Sequence, residues 1–282
     1  MKIGISTWVW ASPLNTELVE ELVPRIAEFG FDWVEMPIET PDEFDYARAA
    51  ALVRGHHLGV SIVAAMSPDR DLLHVEEKVR ENAAAYIRHC IDAAQILGAT
   101  NFVGPFYSAV GRFWLSSPEQ REQEVQLLVP QLRELADYAA ERNVTLCVEA
   151  VNRFETSFIN TASQAIELVD RVAHPAFQMV LDTFHMNIEE KSIGNAIRAA
   201  GPRLHHLHAG ENDRGTLGEG HLPWSDVATA LRDINYNGPV VIETFSDKIE
   251  SIAAAAAIWR PLADNQDTLA KEGLVFLRQL LL

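Results

Sequence analysis

The chain repeats one pattern along its 282 residues: a short β-rich run, then a longer segment with helical periodicity. The runs are KIGISTW (2–8), WVEMPIE (33–39), GVSIVAAM (59–66), NFVGPF (101–106), TLCVEAV (145–151), FQMVLDTFH (177–185), LHHLHAGE (204–211) and PVVIETF (239–245). Between them lie stretches such as NTELVEELVPRIAEFG, EEKVRENAAAYIRHCIDAAQILG and PEQREQEVQLLVPQLRELADYAAERN. Several close on Gly or Asn, as helix C-termini often do, and the NT of NTELVEE and NTASQ before AIELVD have the character of N-cap regions. Eight strands alternating with helices point to a parallel α/β fold, and at this length a (β/α)8 TIM barrel is the natural closure. An open doubly wound sheet would want a glycine-rich phosphate loop after an early strand. No G-x-G-x-x-G follows the first run, and GTLGEG (215–220) comes only after the seventh. No Pro- or Ser-rich linker divides the chain, so a single catalytic domain over residues 1–282 is expected.

A barrel needs a core, and 48% hydrophobic residues can supply one. The 23 Lys plus Arg against 40 Asp plus Glu leave a net charge of -17, a field that repels phosphate backbones and argues against a nucleic-acid partner. Such a balance suits a small neutral substrate, or a metal held by carboxylates. Cys90 and Cys147 form neither a disulfide framework nor a zinc spacing. No run approaches the roughly 18 apolar residues of a membrane span, and MKIGISTWVW lacks a long apolar leader. The expectation is a soluble, cytoplasmic protein without a membrane partner.

In such a barrel, chemistry sits where the strands end. The ends of runs five to eight carry Glu149, Asp182, His208 and Glu243. Alternation puts Thr145, Cys147 and Glu149 on one face, and likewise Gln178, Val180 and Asp182, His206 and His208, and Val241 and Glu243. All four candidates can thus point inward from neighbouring strands. Three carboxylates in one barrel mouth repel each other unless a counter-charge is present, and a divalent cation is the economical one. Oxygen ligands with one imidazole suit Mn²⁺, Mg²⁺ or Co²⁺. Any one of these acids alone would be weak evidence. His206 alone reads as a hydrogen-bonded core histidine, or as a residue supporting a ligand from behind.

The same residues carry a resemblance. VEAVNRFETSFINTA, LDTFHMNIEE, HLHAGENDRG and VVIETF closely resemble the ketose 3-epimerase family of D-tagatose 3-epimerase and D-allulose (D-psicose) 3-epimerase, which are xylose isomerase-like barrels. The likeness extends back through SPDRDLLHVEEKVRENAAAYIRHCIDAAQILGA. It implies that Glu149, Asp182, His208 and Glu243 bind the metal, the set that alternation had selected. It further implies that Glu155, His185 and Arg214 contact substrate, and that the protein forms a homodimer or homotetramer. The implied reaction is inversion of C3 of a free ketohexose or ketopentose by deprotonation and reprotonation through a metal-stabilised enediolate. Glu149 and Glu243 are the candidate proton carriers, exchanging roles with reaction direction. Arg153, between the two glutamates of the fifth motif, reads as charge balance and stays outside the site.

The pattern departs from the family at its start. ISTWVW replaces a tyrosine-rich opening, with Ser6 where a substrate-side tyrosine would align, and Met66 occupies a variable position. Trp8, Trp10, Phe106, Trp114 and Phe245 are candidates for apolar walls, with core packing the alternative for at least half of them. His221, in GEGHLPW, receives no chemistry. The rival readings are an aldose–ketose or hydroxypyruvate-type isomerase on the same barrel, a metal-dependent abasic-site endonuclease, and a non-catalytic sugar-binding barrel. A phosphorylated substrate would want a glycine-rich anion cradle, and none is evident.

Overall fold

The computed structural model describes residues 1–282, and its eight strands close into a parallel barrel in which the first pairs with the last. The strands are β1 Lys2–Ser6, β2 Trp33–Pro37, β3 Gly59–Val63, β4 Asn101–Gly104, β5 Thr145–Glu149, β6 Phe177–Asp182, β7 Leu204–Ala209 and β8 Pro239–Ile242. Every predicted run forms a strand and starts where expected, but each strand stops two or three residues sooner than the run. Residues just past the ends, among them Trp8, Ile38, Ala64, Phe106, Val151 and His185, are still buried. The loops fold over the barrel mouth, so apolar sequence outlasts the hydrogen-bonded ladder.

The helices begin and end where local chemistry dictates. Helix Thr16–Phe29 is capped by Asn15, whose Oδ1 accepts from the Leu18 N–H at 2.9 Å, and Gly30 closes it in the left-handed conformation. Thr161 and Gln164 form a reciprocal capping box on helix Ala162–Val172. Each helix lays an apolar stripe on the sheet; Val19, Leu22, Val23 and Ile26 do so for the first. Together with the outward faces of the strands they build a core running from Ile3 to Leu281. Truncating a fully buried member such as Leu146 to Ala should cost about 2–5 kcal/mol.

Inside the barrel the balance reverses. Only a small apolar cluster, Trp8, Val63, Val103, Cys147 and Val180 with Ile252 from above, lies there. Around it Ser6, Glu35, Ser61, Asn101, Glu149, Asp182, His206, His208 and Glu243 are all buried. The Trp33 ring lies across Gly59, where a Cβ would stand 2.0 Å from it, so only glycine fits there. Between β6 and β7 the register shifts: Met179 faces Leu204 but Val180 faces His206. The extra residue, His205, turns outward and is exposed, while His206 and His208 face inward and are fully buried. The two cysteines are free and buried, and burial pushes the Cys90 thiol up to about 12, which leaves it inert. No helix is long and apolar enough to cross a membrane.

Candidate active site

Glu149 ends β5, Asp182 ends β6, His208 is the penultimate residue of β7, and Glu243 follows directly on β8. Glu243 keeps the ladder going for one more bond, its N–H donating to the Ala209 carbonyl at 3.2 Å. The four side chains converge so that one ligand atom from each lies within 4.8 Å of the others. Glu149 and Glu243 flank the ring of His208, their Oε1 atoms 3.5 and 3.6 Å from Nδ1. Glu149 Oε1 and His208 Nδ1 are buried without a hydrogen-bond partner, and Asp182 Oδ2 is matched only by the guanidinium of Arg214. Buried ligand atoms left unmatched in a tight group are costly by themselves, and this donor set fits a divalent cation. Burial alone would lower the His208 pKa, but Glu243, Glu35 and Glu149 outweigh it and hold the imidazole well above its ordinary value. The negative potential here attracts a cation.

Arg214 supplies part of the counter-charge. It is buried, with Nη1 2.7 Å from Asp182 Oδ2 and 3.0 Å from Glu243 Oε2. Its guanidinium lies over the Phe184 ring at 4.2 Å, over Gly210, where a Cβ would come within 2.6 Å of Nη1. The backbone of Arg214 sits at φ 64°, a strained setting for a side-chain-bearing residue. Two contacts hold it: its N–H donates to the Glu211 carbonyl at 3.0 Å, and its own carbonyl accepts from Thr244 Oγ1. Glu211, itself buried, fastens the loop by accepting from the Gly218 and Leu222 N–H groups and the Trp224 indole. His221 is exposed, and the structure assigns its side chain no contact in the site.

His185 projects from the short helix Thr183–Glu189 that starts directly after β6. Its Nδ1 accepts from the Asn152 N–H at 3.2 Å, so the ring's own proton sits on Nε2. Nε2 faces the cluster, 3.9 Å from Glu149 Oε1 and 3.7 Å from Asp182 Oδ2. Burial, aided by Arg214 and His208 and opposed by Asp182, lowers the His185 pKa to about 3, so the ring is a neutral donor. Asn152 also donates to Glu155 Oε1 at 2.9 Å, tying the two residues together. Burial and the negative charges of Glu149 and Glu243 push the Glu155 carboxyl up to about 7, against the opposing pull of Arg214.

Glu149, Glu155, Phe184, His185, Arg214 and Glu243 form one wall of a pocket over the barrel mouth. The opposite wall is Trp8, Val63, Ala64, Ala65, Pro105 and Val110. Of the five aromatic candidates, Trp8 and Phe245 line this pocket. Trp10 packs on Phe29, Phe106 on Phe102 and Phe177, and Trp114 on Phe158. Met66 is buried away from the pocket, and Ser6 Oγ accepts from the Trp8 N–H at 3.4 Å. Arg153 points outward to make a bidentate pair with Glu189 at 2.8–2.9 Å. Two residues escaped the sequence reading. Asn152 opens the N-R-F-E motif, directly before Arg153. Glu35, buried mid-strand on β2, left no signal at any strand end, yet its Oε1 is 3.0 Å from His208 Nε2.

A closed barrel of eight parallel strands, with four ligand-type residues gathered from successive strand ends where they could hold a metal ion, defines a TIM barrel with a candidate metal site. Residues 23–280 match the family model described as xylose isomerase-like TIM barrel. The chain belongs to that family and, within it, to the ketose 3-epimerases, enzymes of the isomerase class. It is 30% identical over 281 residues to an L-ribulose 3-epimerase of Methylomonas sp. (strain DH-1), covering 99% of this chain and 97% of that one. It is 32% identical to a D-psicose 3-epimerase of Agrobacterium fabrum, covering 95% and 93%. The solved structure of a D-allulose 3-epimerase from Methylomonas sp. superposes with a TM-score of 0.93 at 31% identity, covering 100% and 98%.

Proposed function

We propose that this protein inverts C3 of a free ketohexose or ketopentose by moving a proton off and back onto that carbon through an enediolate. The observation that carries this reading is the buried convergence of Glu149, Asp182, His208 and Glu243, with Glu149 Oε1 and His208 Nδ1 lacking a hydrogen-bond partner, beneath a largely apolar pocket that Glu149 and Glu243 line. These four residues would hold a divalent ion, Mn²⁺ by preference, with Co²⁺ or Mg²⁺ as alternatives. Such an ion supplies Lewis-acid stabilisation of the negative charge that develops on the C2 and C3 oxygens. Glu149 and Glu243, on either side of His208, act as base and acid toward opposite faces of C3 and exchange roles when the reaction runs backward. His185 donates from Nε2 to a sugar oxygen, and Glu155 holds hydroxyls, able to donate or accept near neutral pH. Arg214 orients the carbonyl end of the substrate. Being already engaged with Asp182 and Glu243, and the one basic side chain lining the pocket besides His185, it leaves no free cation for a phosphate. An unphosphorylated sugar therefore fits better.

The test is proton exchange followed by NMR in D₂O, on chelated protein with and without added Mn²⁺. D-fructose, D-tagatose, D-ribulose and L-ribulose would be tried in turn. The expected result is deuterium at C3 together with the C3 epimer, only with metal. Exchange at C1 with aldose product would replace this reading by the aldose–ketose isomerase. We also propose a cytoplasmic homodimer or homotetramer. The exposed Phe113 and Leu115 adjoin the loop of exposed Phe154, through Gly111 N–H to the Glu155 carbonyl at 2.8 Å, and support an apolar contact face. Sedimentation showing a monomer at micromolar concentration would remove the oligomer.

A further inference from the structure

Of the charged residues inside the barrel, Glu35 is the one that the proposed reaction does not use. It is fully buried on β2, one layer below the four strand-end residues. A carboxylate there needs partners, and it has three. Oε1 stands 3.0 Å from His208 Nε2. Oε2 accepts from Ser61 Oγ at 2.9 Å and lies 3.1 Å from His206 Nε2. Ser61 is itself oriented, because its oxygen accepts from the Trp33 indole N–H at 3.0 Å, which leaves the hydroxyl hydrogen for Glu35. Trp33 in turn is seated across Gly59 on the neighbouring strand. The chain of contacts thus runs from the lower end of the barrel, through Trp33, Ser61 and Glu35, to the back of the His208 ring.

The front of the same ring carries the consequence. With Nε2–H donated to a carboxylate, the hydrogen that an incoming cation would displace from the ring is the one on Nδ1, and Nδ1 is the atom that faces Glu149 and Glu243. Because the register shift between β6 and β7 turns both His206 and His208 inward, the ring of His208 is also packed edge-on against His206, with centroids 5.0 Å apart. Packing alone would fix the plane of the ring without choosing its tautomer. Glu35 chooses it.

We propose that Glu35 is a positioning residue for the metal centre: by accepting the Nε2 hydrogen of His208 it fixes the tautomer and ring orientation that present Nδ1 as a ligand. The inference rests on the metal site proposed above and deepens it. Replacing a carboxylate behind a ligating histidine weakens metal binding by about 10–100-fold in general. Glu35→Leu removes the acceptor and should weaken Mn²⁺ by that factor. Glu35→Gln keeps an amide oxygen for Nε2–H and should lose no more than roughly tenfold.

Free Mn²⁺ counted by EPR during titration of chelated wild type, Glu35→Leu and Glu35→Gln gives the affinities. ¹⁵N spectra of Zn²⁺-loaded wild type and Glu35→Gln, with Zn²⁺ as the diamagnetic probe, report the tautomer of His208 directly. The expected result is the order wild type, Gln, Leu in affinity, with a protonated Nε2 and a metal-bound Nδ1 on His208. Equal Mn²⁺ affinity in the three proteins, or a Zn²⁺-bound Nε2, would overturn the inference while leaving the metal centre standing. Failure of the wild type to take up Mn²⁺ would overturn both. Should Glu35→Leu fail to fold, the Gln variant and the wild-type spectrum still decide the matter, since a Zn²⁺-bound Nε2 is incompatible with the proposal.

Discussion

The two halves of the barrel do different work. From β5 to β8 the strand ends and the loops after them bring Glu149, Glu155, His185, Arg214 and Glu243 to the pocket; from β1 to β4 they bring Trp8, Val63, Ala64, Ala65, Pro105 and Val110. Even the indole N–H of Trp8 is turned away, donating to Glu39 at 3.0 Å. One half can grip oxygens and move protons, while the other can only shape the space for the far end of a substrate. Rate should therefore be lost on one side and substrate preference altered on the other.

The largest effect should come from the polar half. Glu149→Gln keeps the size of the side chain but cannot take a proton, and proton transfer by a placed carboxylate contributes on the order of 10²–10⁴ in rate. Exchange at C3 of the best ketose should fall by about that factor with Mn²⁺ still bound. Substantial exchange in this variant would move the proton chemistry elsewhere. Chelation comes next and breaks the comparison more broadly. Ligand at about 100 times its Kd stabilises the folded state by about 2.7 kcal/mol, which for a chain of this size is roughly 5 °C in Tm. A chelated protein that melts at the same temperature as one with excess Mn²⁺ would argue against the four-residue site.

The apolar half should answer differently. Val63→Thr places a hydroxyl on the far wall with little change in volume. It should change the ratio of kcat/KM between a ketopentose and a ketohexose by roughly tenfold or less, with C3 exchange on the preferred sugar nearly intact. A collapse of kcat instead would mean that this wall holds the reacting carbons after all.

Legibility in the sequence followed the same division. Acids and histidines at the ends of β5 to β8 stand out because an apolar run rarely stops on one, and the alternation rule then says which way they face. Strand starts were equally plain. The ends were not, since burial by the overlying loops makes residues such as Val151 and Phe106 look like strand. Glu35 was hidden because WVEMPIE reads as an ordinary run with a charge in its middle, and nothing local reveals that His206 and His208 lie across the barrel from it. Likewise the hold on Arg214 depends on Glu211 and Thr244, from separate segments that only the closed barrel brings together.

The smallest effect tests the polar wall without any substrate. Glu155 has its carboxyl pushed up to about 7 from an ordinary 4.5, chiefly by burial. Between those two values the folded protein keeps a proton that the unfolded chain has released. The stability this group contributes is thus fully present below about pH 4.5 and is lost as pH rises toward about 7, levelling off above. Its side chain retains 31% of its exposure, so solvent screening trims the effect. Glu155→Gln should flatten that part of the curve. With both proteins chelated, the fall in Tm across the window should be smaller in the variant than in the wild type. Parallel curves would mean that Glu155 titrates normally, and that the polar wall is more open to water than its packing implies.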